Sequence, residues 1–133
     1  MTPDEYQALA ARTICPQMAA LGRIQATPRQ TQILHGVIGL QGESGEMATQ
    51  VEGHIWYGKP FDQVNMEEEI GDALWYLAEI CSAMGVSMED IMERNIAKLR
   101  QRFPKQFDYG LADESQRDRM AERAILKGQR DVE

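Results

Sequence analysis

Two pairs of carboxylates, Glu43 with Glu46 and Glu69 with Asp72, each stand three residues apart. On a helix that spacing puts both acids of a pair on one face, one turn apart. Counting about 100° per residue, each pair lies beside the apolar arc of its helix and not opposite it. Two such pairs on neighbouring helices would converge on one cluster of four acids. Four anions at short range repel each other unless cations sit among them. Hard divalent ions that take oxygen ligands, such as Mg²⁺ or Mn²⁺, suit such a set. The competing reading is plain surface acids on an acidic protein. A lone E-x-x-E is most often that, but two pairs in matching phase leave the two readings evenly weighted.

Other residue types add to this pattern. Asn95, Lys98 and Arg102 are spaced three and four apart and share a helix face. Lys and Arg offer charge and donors to phosphate oxygens, and Asn offers an amide; taken alone, the three also read as a solvated polar face. Lys59 stands where a loop is expected, either reaching for a phosphate or facing water. Tyr76 falls in the same sector as Glu69 and Asp72 and is the aromatic best placed to border a base. Trp56 and Tyr57 are further stacking candidates, whereas Trp75 reads as core. His35 falls in the sector of Glu46. A di-iron carboxylate site needs Glu three residues before His. Gln32 and Val51 precede His35 and His54 at that spacing, so that site is set aside. The run Gly53-His54-Ile55-Trp56-Tyr57-Gly58-Lys59-Pro60 nearly matches a phosphate loop, but Pro60 stands where the metal-binding hydroxyl belongs.

The elements that must position these groups read as helices. Thr2-Pro3-Asp4-Glu5 is a capping box with Pro at the first helical position. The helix it opens runs into Pro16, and residues 16–26 are ambiguous. Thr27-Pro28-Arg29-Gln30 opens a second helix with the same box, expected to run to about Gly53. Gly36, Gly39, Gly42 and Gly45 interrupt it, either for close helix packing or for ligand space. Residues 54–64 are expected to be loop. A third helix is predicted from near Asn65 to Met84, stopped by Gly85, and a fourth from Ser87 to Phe103, ended by Pro104. Residues 105–115 read as loop. A short charged helix is expected over 116–127, one that frays or packs on another subunit.

The composition bounds the rest. The 133 residues suit one domain, with a net charge of −7 that argues against binding the backbone of a nucleic acid polymer. Two cysteines, Cys15 and Cys81, are too few for a disulfide scaffold and fit a cytoplasmic protein. No apolar run approaches the ~20 residues needed to span a membrane, and no signal peptide is visible. Helices with exposed apolar arcs would bury more surface by pairing as a homo-oligomer.

The blocks GLQGESGEMATQVEGHIWYGKP, EEEIGDALWYLAEI and NIAKLRQRFP together resemble the MazG-like nucleoside triphosphate pyrophosphohydrolases. EYQALAART and FDYG are similar to the single-domain branch of that family, and the likeness covers about residues 4–110. The resemblance implies an all-α, four-helix-bundle-like fold that assembles as a dimer or tetramer. It implies a domain over 1–110 with a charged C-terminal extension over 111–133. It further implies Mg²⁺-dependent cleavage of a nucleoside triphosphate between the α and β phosphorus atoms, giving a monophosphate and pyrophosphate. By position, Glu43, Glu46, Glu69 and Asp72 would be the metal ligands, and Asn95, Lys98 and Arg102 would meet the phosphates. Gly42 stands where many relatives carry a further acid, which leaves open whether Glu43 or Glu46 acts on the attacking water. A hydrolase of a nucleotide derivative and a non-catalytic, partner-binding helical protein are the alternatives.

Overall fold

The structure is a computed structural model and describes residues 1–14 and 27–128. Pro16, Cys15 and the ambiguous segment 16–26 lie outside the described residues. Helix α1 spans Pro3–Ala11 and begins with the expected reciprocal box. Thr2 Oγ1 accepts from the Glu5 N–H at 3.2 Å, and the Glu5 carboxylate accepts from the Thr2 N–H at 2.7 Å. Helix α2 spans Pro28–Tyr57. Its box is half closed: Thr27 accepts from the Gln30 N–H, while Gln30 Oε1 is sealed from solvent without a partner.

The chain runs helical one turn past the expected end of α2 at Gly53. Gly58 stops it, with φ 62° in the left-handed region that costs a residue without Cβ little. The connection to the next helix is correspondingly shorter than the loop expected over 54–64. It is pinned where His54 Nδ1 donates to the Lys59 carbonyl at 2.9 Å. Helix α3 spans Gln63–Met84 and is capped by Asp62, not opened near Asn65 as the spacing suggests. The Asp62 carboxylate accepts from the Asn65 N–H, which leaves the Asn65 side chain free for another partner. Gly85 ends α3 as expected. Helix α4 spans Met88–Arg102 behind a Ser87 cap.

Residues 105–115 are more ordered than a plain loop. Asp108 caps a short helix α5, Tyr109–Ala112, by accepting from the Gly110 and Leu111 N–H groups. A 3₁₀ turn at Glu114–Gln116 follows, then helix α6 at Arg119–Lys127, capped by Asp118. The fold is all-α, with no strand among the described residues.

Two packing relations organise these helices: α2 lies along α3, and α4 lies against α6. The α2–α3 contact is close because two of the four glycines lie in it. A Cβ on Gly36 would stand 2.6 Å from Ile80 Cγ1, and one on Gly39 would run into the Tyr76 ring. Gly42 and Gly45 face open space, where a Cβ would meet nothing within 4 Å. The close-packing reading therefore holds for Gly36 and Gly39, and Gly42 and Gly45 lie outside the helix contact. The terminal helix α6 packs on α4 of its own chain. No apolar side chain is fully buried among the described residues, and Ile38, Trp56, Val64 and Trp75 are 57–76% exposed.

Candidate metal centre

Helix α2 delivers Glu43, and helix α3 delivers Glu69 and Asp72. One oxygen from each of these three carboxylates lies within 4.8 Å of the others. Burial is graded across the set: Glu69 is 5% exposed, Glu43 is half-buried and Asp72 faces solvent. The Glu43 carboxyl is held above the usual carboxylate range. A hydrogen bond shared with Glu69 is the main cause, followed by burial and then by the charges of Glu46, Glu69 and Asp72. A cation among these oxygens would turn the charges of Glu69 and Asp72 from a penalty into ligands. Three hard oxygen donors from two rigid helices therefore fit a divalent ion.

Glu46 is not one of the three convergent acids. It lies one turn further along α2 and lines an adjoining cavity of about 300 Å³ with Thr49, Gln50, Gly53, Lys59, Pro60 and Asn65. Lys59 is thereby brought to the Glu46 side of the site. Its stem lies over Gly53, where a Cβ would stand 3.2 Å from Lys59 Cδ. The near-match to a phosphate loop at Gly53–Pro60 is the last turn of a helix and its glycine stop.

Tyr76 sits one turn beyond Asp72, its ring packed on Gly39 and edge-on to Trp75 and His35 at 5.1 and 5.6 Å. His35 Nδ1 contacts the Glu79 carboxylate at 2.9 Å, a second tie between α2 and α3. Asn95, Lys98 and Arg102 stand on α4, and no hydrogen bond or ion pair joins them to the acids. Arg102 instead donates from Nε and Nη2 to the two oxygens of Glu122 on α6, both at 2.7 Å. Lys98 and Arg102 line a separate cavity of about 280 Å³ with Arg119, Glu122, Arg123 and Leu126.

Sequence reasoning missed Gln50, Asn65 and Glu122. Asn65 Nδ2 donates to Glu69 at 2.6 Å, and Gln50 Nε2 donates to Asn65 Oδ1 at 2.8 Å. The available signal was Asn65 standing four residues before Glu69, a helical hydrogen-bonding distance. Nothing local marks Gln50 or Glu122, because their partners lie on other helices.

The described residues thus form an all-helical fold in which two packed helices gather three acids into a possible metal-binding cluster. Residues 34–107 match the MazG nucleotide pyrophosphohydrolase domain, and the chain belongs to that family. The matched segment holds Glu43, Glu46, Glu69 and Asp72 and most of helices α2 to α4. Gene 37 protein of Mycobacterium phage L5 is 34% identical over 70 residues, which cover 49% of this chain and 60% of that protein. No solved structure matches the chain.

Proposed function

We propose that the protein hydrolyses nucleoside or deoxynucleoside triphosphates at the α–β phosphate linkage, using Mg²⁺ or, in its place, Mn²⁺. The observation that carries this reading is the convergence of Glu43, Glu69 and Asp72 within the family-matched segment. These three are the proposed ligands, with Glu46 beside them. A divalent ion held there would neutralise charge on the phosphate oxygens. Glu46, facing the adjoining cavity, orients the attacking water and takes its proton, with Glu43 the alternative base. The water oxygen bonds to the α phosphorus as the bond from that phosphorus to the bridging oxygen breaks, and pyrophosphate leaves with the bridging oxygen. Lys59 reaches a phosphate oxygen from the same cavity wall. Tyr76 borders the nucleoside.

Asn95, Lys98 and Arg102 are assigned to the polyphosphate, and a second copy of the chain is what would bring α4 to the acids. The exposed Ile38, Trp56, Val64 and Trp75 give that association an apolar surface to bury, as a homodimer or homotetramer. In this reading residues 1–110 are the catalytic domain and 111–133 an extension held through α6. No described helix is long and apolar enough to cross a membrane. The free thiol of Cys81 fits a cytoplasmic site of action.

Product analysis tests the proposal. Each common NTP and dNTP is incubated with the protein and Mg²⁺, and pyrophosphate and orthophosphate are assayed separately. Monophosphate with pyrophosphate is expected. Orthophosphate with a diphosphate would overturn the assigned linkage. Failure to turn over any of them would move the assignment to a nucleotide derivative or to a partner-binding role.

A further inference from the structure

We infer that Asn65, itself held by Gln50, is the positioning residue that fixes the Glu69 carboxylate for a divalent cation. The inference rests on the metal reading above and adds to it the residues that aim its most buried ligand.

Glu69 is 5% exposed, so its carboxylate has lost most of its water and needs a donor from the protein. Asn65 Nδ2 supplies one at 2.6 Å. Holding one carboxylate oxygen sets the plane of the group and hence the direction of the other oxygen, which is how outer partners aim a metal ligand. Asn65 can do this because Asp62 has taken over the helix cap.

The polarity of the relay follows from the charge at its end. An ionised Glu69 only accepts, so Asn65 must turn its NH₂ toward it and its Oδ1 away. Oδ1 then accepts from Gln50 Nε2 at 2.8 Å. Reversing both amides would set Asn65 Oδ1 against a Glu69 oxygen, two acceptors with no proton between them. The arrangement leaves Gln50 Oε1 sealed from solvent without a partner. Gln50 comes from α2 and Asn65 from α3, so the relay also crosses the hairpin. It ties together the two helices that deliver Glu43 and Glu69, close to the point where the acids meet.

The test is Mn²⁺ affinity of metal-free protein, read from loss of the free-ion electron paramagnetic resonance signal without substrate. Wild type, E69Q, N65L and Q50L are compared, each first shown to be folded by its melting curve. N65L is expected to weaken Mn²⁺ binding about tenfold or more, in the range measured for outer partners of metal ligands. Q50L, one step further out and safer for the fold, is expected to weaken it by a smaller factor. The double variant should bind no worse than N65L, because both changes break one chain of contacts. Wild-type affinity in both N65L and Q50L, with binding lost in E69Q, would overturn the relay and leave the metal site standing. A wild-type protein that binds no Mn²⁺ would remove the metal reading and this inference together.

Discussion

Glu69 and Glu122 are the two buried acids of the described chain, each 5% exposed, and their surroundings are opposite. Glu122 meets Arg102 in a two-point contact and has Arg119 and Arg117 nearby, which hold its carboxyl below the usual range. Glu69 meets Glu43 and Asp72, and its donor is a neutral amide. At Glu122 the charge is answered within the chain, and the result is structural: α6 is fastened to α4. At Glu69 the negative charge is surrounded by more of the same sign, and the missing counter-charge is what a ligand can supply. Burial alone does not single out an acid for function; burial among like charges makes Glu69 the candidate of the two.

Removing each acid in turn should separate the two regions. E69Q or D72N is expected to lower metal-dependent pyrophosphate release by about a hundredfold or more, with little change in melting temperature for D72N, whose side chain faces solvent. E122A should do the reverse. It leaves Arg102 without its partner, lowers the melting temperature and opens the Arg119–Lys127 amides to hydrogen exchange, while Mn²⁺ affinity stays at the wild-type level. Loss of Mn²⁺ binding in E122A would merge two regions that the structure keeps apart.

The same contrast predicts opposite responses to pH. Glu122 titrates below its ordinary value of 4.5, chiefly because Arg102 bonds to the ionised form. Its contribution to stability is present above that value and lost as pH falls through the depressed folded value. Glu43 titrates above 4.5, chiefly through its hydrogen bond with Glu69. In metal-free protein its contribution is present below that value and lost as pH rises through the elevated one. Melting temperatures of wild type, E122Q and E43Q measured across pH should give difference curves of opposite slope. Saturating Mg²⁺ should flatten the Glu43 curve and leave the Glu122 curve unchanged.

What the amino-acid sequence disclosed divides along local and distant lines. Thr2, Thr27 and Ser87 were legible as helix starts because a cap bonds only two or three residues ahead. The pairing of Glu69 with Asp72 was legible because one helix sets it. That Glu46 falls outside the three-acid set was not, since this depends on how α3 lies across α2. Asn65 was misread as the start of a helix for a related reason: an amide suits a cap, and only the partners on α2 and α3 show its other use. Arg102 was readable as a cation, but its partner lies twenty residues later, in a segment with no motif of its own. The match to the MazG domain agrees with the resemblance drawn from the motif blocks, and it ends at residue 107, short of that partner.

The smallest expected effects lie within α2, where the glycine series passes from helix contact to open site. G39A places a methyl group against the Tyr76 ring, so either the ring or the helix must move, and the melting temperature should fall. G42A meets nothing within 4 Å and removes a glycine from a helix interior, which favours the fold by up to about 1 kcal/mol. Thermal melts of the two variants read the sign directly. Turnover adds a second reading for G42A, because its methyl group stands one turn before Glu46 on the same helix face. A stabilised G42A with intact Mn²⁺ affinity but a raised KM would mean that substrate occupies the open space there. Unchanged KM would leave Gly42 with no role at the site and would move the substrate toward the Glu46–Lys59 cavity.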